Sequence, residues 1–138
     1  MRTIRRASGG APERILIVLV LVALAACAGE RSDPAPASMP PLPPTPAELG
    51  GAEQLFDANC ASCHGDAARG TAIGPPLVHI FYEPSHHSDA AFHLAVRNGV
   101  VAHHWNYGDM PPQPKVSTEQ MTEVIAYIRW LQRNAGIE

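Results

Sequence analysis

Cys60-Ala61-Ser62-Cys63-His64 sets two thiols and an imidazole at the spacing C-x-x-C-H. This is the attachment signature of a c-type haem. The two thiols add across the vinyl groups of the macrocycle, and the histidine that follows reaches the iron from one face. Two of the chain's three cysteines sit in this stretch. A redox disulfide is one alternative, but no strand–helix alternation of the thioredoxin kind surrounds the motif. Half of a zinc site, completed by histidines such as His86 or His103, is the other.

The elements that must hold such a motif occupy only part of the 138 residues. Arg2, Arg5, Arg6 and Arg14 precede an apolar run from Ile15 to Ala26, too short for a comfortable transmembrane helix. A basic start followed by a short apolar core reads as a secretory signal. The run ends in Leu24-Ala25-Ala26-Cys27, which resembles the lipobox of bacterial lipoproteins. On that reading residues 1–26 are a signal peptide and Cys27 is the lipidated first residue. Ordinary cleavage that leaves Cys27 an odd thiol and an uncleaved anchor are the alternatives. Residues 27–45 then form a linker. Asp33 to Pro46 holds seven of the fourteen prolines, so this stretch favours extended polyproline II at about 3 Å per residue. It would let a tethered globule reach roughly 50–60 Å from the membrane.

Without residues 1–26 the chain carries six basic and twelve acidic groups, a formal charge of −6. That balance disfavours nucleic acid or anionic lipid as a partner surface. It suits a partner with a basic docking patch.

Three helices are predicted after the linker, and no strand pattern. The first opens at Thr45-Pro46-Ala47-Glu48, with Thr45 as cap and Glu48 reaching back to it, and runs to Asn59. The second is capped by Ser88, carries Phe92, Ala95 and Val96 on one face, and stops at Asn98-Gly99. The third begins with a capping box at Ser117-Thr118-Glu119-Gln120, and Met121, Val124, Ile125, Ile128 and Leu131 trace its apolar stripe. Three modest helices make a thin core. A buried apolar macrocycle would supply much of what the side chains cannot.

From Pro46 to Ile137 the chain resembles the small bacterial monohaem cytochromes c of class I. Phe56 stands four residues before Cys60, where that family has an aromatic. Gly74-Pro75-Pro76-Leu77 matches its loop after the haem motif. Val96-Arg97-Asn98-Gly99 and Gly108-Asp109-Met110-Pro111-Pro112 match the segment leading to its methionine ligand. Ile125-Ala126-Tyr127-Ile128 matches its last helix. One departure is visible: Ala52 stands where the family places a glycine at the helix crossing, and Gly51 is one position off.

The resemblance implies an all-α class I fold over residues 46–138, three main helices wrapped around one haem attached through Cys60 and Cys63. His64 and Met110 would be its iron ligands, and the Pro75 carbonyl would accept a hydrogen bond from His64. These four side chains are expected to converge on one apolar cleft. His103 and His104 remain rivals to Met110, while Met121 reads as core and Met39 lies in the linker. Histidine with methionine raises the iron potential and closes the site to substrate, so an electron carrier is expected, not an enzyme. Its partners would be redox proteins on the periplasmic side of a bacterial membrane: a dehydrogenase or quinol-oxidising complex as donor, a terminal oxidase or reductase as acceptor. Six further histidines, at 79, 86, 87, 93, 103 and 104, are many for a domain of this size. Two adjacent pairs could gather copper or zinc, since imidazole suits both. Adjacent histidines rarely ligate one ion together, however, and loop histidines are more often solvated. Some of them, with Trp105, Tyr107 and Arg97, are also candidates to bond haem propionates.

Overall fold

In a computed structural model of the chain, residues 41–138 are described. The expected signal peptide, Cys27 and most of the proline-rich linker lie outside them. The described part is all-α. A 3-10 turn at Ala47–Leu49 leads into α1 (Gly50–Asn59), followed by the single turn α2 (Ala61–His64), α3 (Asp89–Asn98) and the long α4 (Thr118–Asn134). Further 3-10 turns lie at Asp66–Ala68 and Ile80–Tyr82. Extended pairing among the described residues is limited to one antiparallel bridge, Val100 with Met110.

The α4 stripe buries as its spacing predicts. Met121, Val124, Ile125, Tyr127, Ile128 and Leu131 are all inside. The helix starts with a full capping box: Ser117 Oγ accepts from the Gln120 amide, and Gln120 Oε1 accepts from the Ser117 amide. Against this helix lies α1, and Phe56 meets Tyr127 with ring centroids 5.7 Å apart. Ala52 is buried at the same crossing. A Cβ placed on Gly51 would meet nothing within 4 Å, so Ala52 is the residue in register. Replacing Ala52 by leucine is expected to overpack the crossing and cost about 1–3 kcal/mol. Chemical denaturation of the variant measures this, and an unchanged midpoint would place the crossing elsewhere.

Two expected caps do not form. Thr45 turns its hydroxyl away from the helix start and donates to Glu53 Oε1 at 2.8 Å. Pro46 then occupies the cap position of the 3-10 turn with no side-chain bond, and the α-helix proper begins only at Gly50. Glu53 also accepts from the Tyr127 hydroxyl at 3.1 Å. One carboxylate thus ties the end of the linker to α4. Burial, then the Glu53 charge, pushes the Tyr127 phenol well above its ordinary range. Leu42 packs against the core as well, so the last residues of the proline-rich segment lie on the fold. Ser88 holds the cap position of α3 without a side-chain bond. The next residue, Asp89, is instead drawn to Arg129.

Arg129 and Gln132 are buried polar residues within the α4 face, 8 % and 1 % exposed. Arg129 spreads its guanidinium over Asp89 Oδ1 (2.8 Å), the Tyr82 carbonyl (2.8 Å), the His87 carbonyl (2.5 Å) and Gln132 Oε1 (2.7 Å). Its charge also lies 5.0 Å from the centre of the Phe92 ring. Gln132 Nε2 donates to the carbonyls of Leu77 and Tyr82. Together they fasten the long segment before α3 onto the last helix.

Candidate functional site

The C-x-x-C-H motif begins where α1 ends. The Cys60 amide still donates to Phe56 O, and the amides of Cys63 and His64 both donate to Cys60 O. The resulting single turn puts residues 60, 63 and 64 at i, i+3 and i+4, on one side of the backbone. Gly65, at φ +75°, ends it, and few other residues adopt that conformation cheaply.

The chain then folds back on the motif. The Thr71 hydroxyl donates to Cys63 O at 2.6 Å. Gly74 passes so close that a Cβ there would stand 2.5 Å from the same carbonyl oxygen, which makes this glycine a steric requirement. That approach delivers Pro75. Its carbonyl accepts from His64 Nδ1 at 2.9 Å, as the resemblance implied. A histidine held through Nδ1–H presents Nε2 as its ligand atom, in a fixed tautomer and ring orientation. Burial keeps the His64 imidazole neutral, with a lowered pKa that the Pro75 bond only partly offsets.

Both thiols are free, Cys60 half-buried and Cys63 exposed. Burial, with the neighbouring Cys63, pushes the Cys60 thiol up to about 11. The zinc alternative fails on position. Among the described residues, the group of three or more side chains that could hold an ion is His86, His87 and His104, with neither cysteine in it. Two thiols and an oriented neutral imidazole on one helical turn fit the attachment of a haem. Apolar surface left open nearby in the chain fits it as well: Ile73, directly before Gly74, is 64 % exposed.

Met110 lies on a separate loop. Its backbone exchanges two 2.9 Å hydrogen bonds with Val100, and its half-buried side chain packs on the core. Gly99, at φ +76°, permits this docking, since a Cβ there would come within 2.6 Å of Met110 O. The Gln113 amide closes the loop onto Val96 O at 2.7 Å. Cys60, Cys63, His64 and Pro75 are therefore gathered into one unit, and Met110 is held independently at the end of α3. Cavities of about 380 and 240 Å³ open elsewhere. The larger runs along Leu42, Glu53, Tyr127 and Trp130, and none of Cys60, Cys63, His64 or Met110 lines either one.

Of the propionate candidates, Arg97 is exposed. Trp105 sits in a cluster of rings with Phe81 at 5.1 Å and His79 at 5.0 Å. Sequence reasoning did not single out Thr71 or Arg129. Gln132 had a visible signal, because a polar residue four after Ile128 falls inside the apolar stripe.

No curated protein and no solved structure matches the chain. The sequence model of the cytochrome c family matches residues 51–132. The span begins within α1, takes in the thiols, the oriented histidine and the Met110 loop, and ends within α4. With more than half of its length covered, the chain belongs to the cytochrome c family, whose members carry electrons on covalently bound haem.

Proposed function

We propose that the protein is a single-electron carrier with one haem attached through Cys60 and Cys63 and ligated by His64 and Met110, and that it is not an enzyme. The observation that carries the reading is the hydrogen bond from His64 Nδ1 to Pro75 beside two free thiols. Haem c supplies the iron that takes up and releases one electron. Around it, the chain's work is positional. Pro75 fixes the His64 ring, so no reorientation is needed when the charge at its Nε2 changes. The bridge to Val100 fixes the Met110 backbone, which keeps a soft thioether available without freeing the loop. With His64 and Met110 both holding the iron, no open place would remain for substrate, and the site would suit outer-sphere transfer.

The partners on this reading are redox proteins: a dehydrogenase or quinol-oxidising complex that donates, and an oxidase or reductase that accepts. The formal charge of −6 that the chain carries without residues 1–26 favours a basic docking patch on them. The basic and apolar start and the Leu24–Cys27 stretch support export with cleavage after residue 26. They also support a lipid anchor at Cys27, with residues 27–45 as linker, on the periplasmic side of a bacterial membrane.

Purified full-length protein tests the reading. Low-spin visible bands with a weak near-infrared sulfur-to-iron transition are expected, together with an intact mass that contains one haem and a lipidated Cys27. A high-spin ferric spectrum would overturn the carrier assignment in favour of peroxidase-type chemistry. A mass without lipid would remove the anchor alone.

A further inference from the structure

The two histidine pairs are not absorbed by the haem motif, and three of their four rings, those of His86, His87 and His104, gather at one place. The turn at residues 83–87 curls tightly, with the amides of both His86 and His87 donating to Glu83 O. Their two rings consequently stand 4.7 Å apart. Across from them His104 approaches to ring distances of 5.4 Å from His86 and 5.2 Å from His87. One potential ligand atom from each of the three lies within 4.8 Å of the other two.

Two details separate this group from a chance cluster. The Nε2 atom of His104 is buried and has no hydrogen-bond partner, a condition that costs free energy unless something occupies its lone pair. His87 Nδ1 lies 2.5 Å from the Phe81 carbonyl, and only an N–H can make that contact. His87 is thus held through Nδ1 and presents Nε2, the arrangement that orients metal-bound imidazoles. The His87 backbone is itself pinned by the Arg129 guanidinium. By contrast, His79 accepts the Phe81 amide at Nδ1 and so spends that lone pair within the protein.

We propose that His86, His87 and His104 form a three-imidazole site for a divalent copper or zinc ion, separate from the haem motif. Imidazole nitrogen suits both ions and is a poor donor for magnesium or calcium. Nitrogens bound to one ion at about 2.0–2.1 Å stand about 3.3 Å apart in tetrahedral geometry. Each pair here therefore has to close by about 1.5 Å or less, and rotation of the exposed His86 acts on two of the three pairs. Phe81 stacks on the His104 ring at 4.6 Å and restricts it from one face.

Equilibrium dialysis of the haem-loaded protein against Zn2+ or Cu2+, followed by metal analysis, tests this. One ion per chain is expected beyond the haem iron. Copper should bind more tightly than zinc, with nitrogen hyperfine structure in its electron paramagnetic resonance spectrum, and magnesium and calcium should not be retained. The variants H86A, H87A and H104A should each weaken binding more than tenfold, whereas H93A should leave it unchanged. His86 is exposed, so H86A keeps the test valid if H104A fails to fold, and an unaltered haem spectrum certifies each variant. Retention of neither ion overturns the proposal, as does binding indifferent to all three substitutions. A metal-free H104A protein with a changed haem spectrum would also overturn it, by making His104 an iron ligand.

Discussion

Replacing Met110 by alanine is expected to leave the haem covalently attached and to lower its reduction potential by on the order of a hundred millivolts or more. Axial ligand identity moves haem potentials over a range of about 0.8 V, and a thioether sits towards its upper end by favouring ferrous iron. Attachment depends on Cys60 and Cys63, so removing one axial ligand should not release the group. The fold should also persist, because the bond pair with Val100 and the Gln113 closure are backbone interactions. A high-spin spectrum is the expected companion of the lower potential. His103 and His104 are the neighbours able to prevent it by taking the position. His103 Nδ1 is already held by Val101 O at 2.9 Å, and the His104 ring is stacked on Phe81. Potentiometric titration and visible spectroscopy read both effects. An unchanged potential and spectrum would mean that Met110 is not a ligand and that the iron has two histidines.

The second large effect is expected at Arg129, far along the chain from the motif. Arg129→Ala should destabilise the domain by about 2–4 kcal/mol, because Gln132 Oε1 and the His87 carbonyl lose their donor together, at about 1–3 kcal/mol for each one stranded. For a domain of this size that corresponds to a fall in Tm of roughly 10–25 °C. The ion pair with Asp89 contributes little of this, since the Asp89 side chain is 64 % exposed and exposed pairs are weak. Gln132 Oε1 and the His87 carbonyl carry the loss, since the Tyr82 carbonyl keeps the Gln132 amide as a donor. Arg129→Lys should recover only part of it, as an ammonium cannot span the same fork of acceptors. Calorimetry of the two variants distinguishes the cases. A shift of only a degree or two in Arg129→Ala would show that water replaces the guanidinium without cost.

What could be read in the sequence follows the range of the interactions involved. The C-x-x-C-H turn, the α4 stripe and its capping box are local patterns, and the structure forms all three. Pro75 and Ala52 were placed by resemblance, and geometry puts both where that implies. Thr45 and Ser88 look like caps because hydroxyls before a helix usually are. At Thr45 the outcome was decided by Glu53, eight residues on, which offers a charged acceptor in place of a backbone amide. The two adjacent histidine pairs were visible in the sequence as copper or zinc donors, but the meeting of His86, His87 and His104 in particular was not. It depends on how two irregular segments are pinned, one by Arg129 and Gln132 and the other by the Val100–Met110 bridge, and no periodicity encodes that.

Ala67 and Ala68 follow the attachment motif with φ of +50° and +58°. Two consecutive L-residues in the left-handed region cost about 1 kcal/mol or more each. The second of them turns its carbonyl to receive the amides of both Leu77 and Val78. In the ordinary right-handed conformation that oxygen would face elsewhere, and the strand of chain carrying Pro75 would lose its mooring. The orientation of His64 is thus underwritten by handedness seven residues away from its partner. At this corner the backbone has the form that a mirror-image alanine would adopt at ease, and the fold holds the natural enantiomer there against its preference.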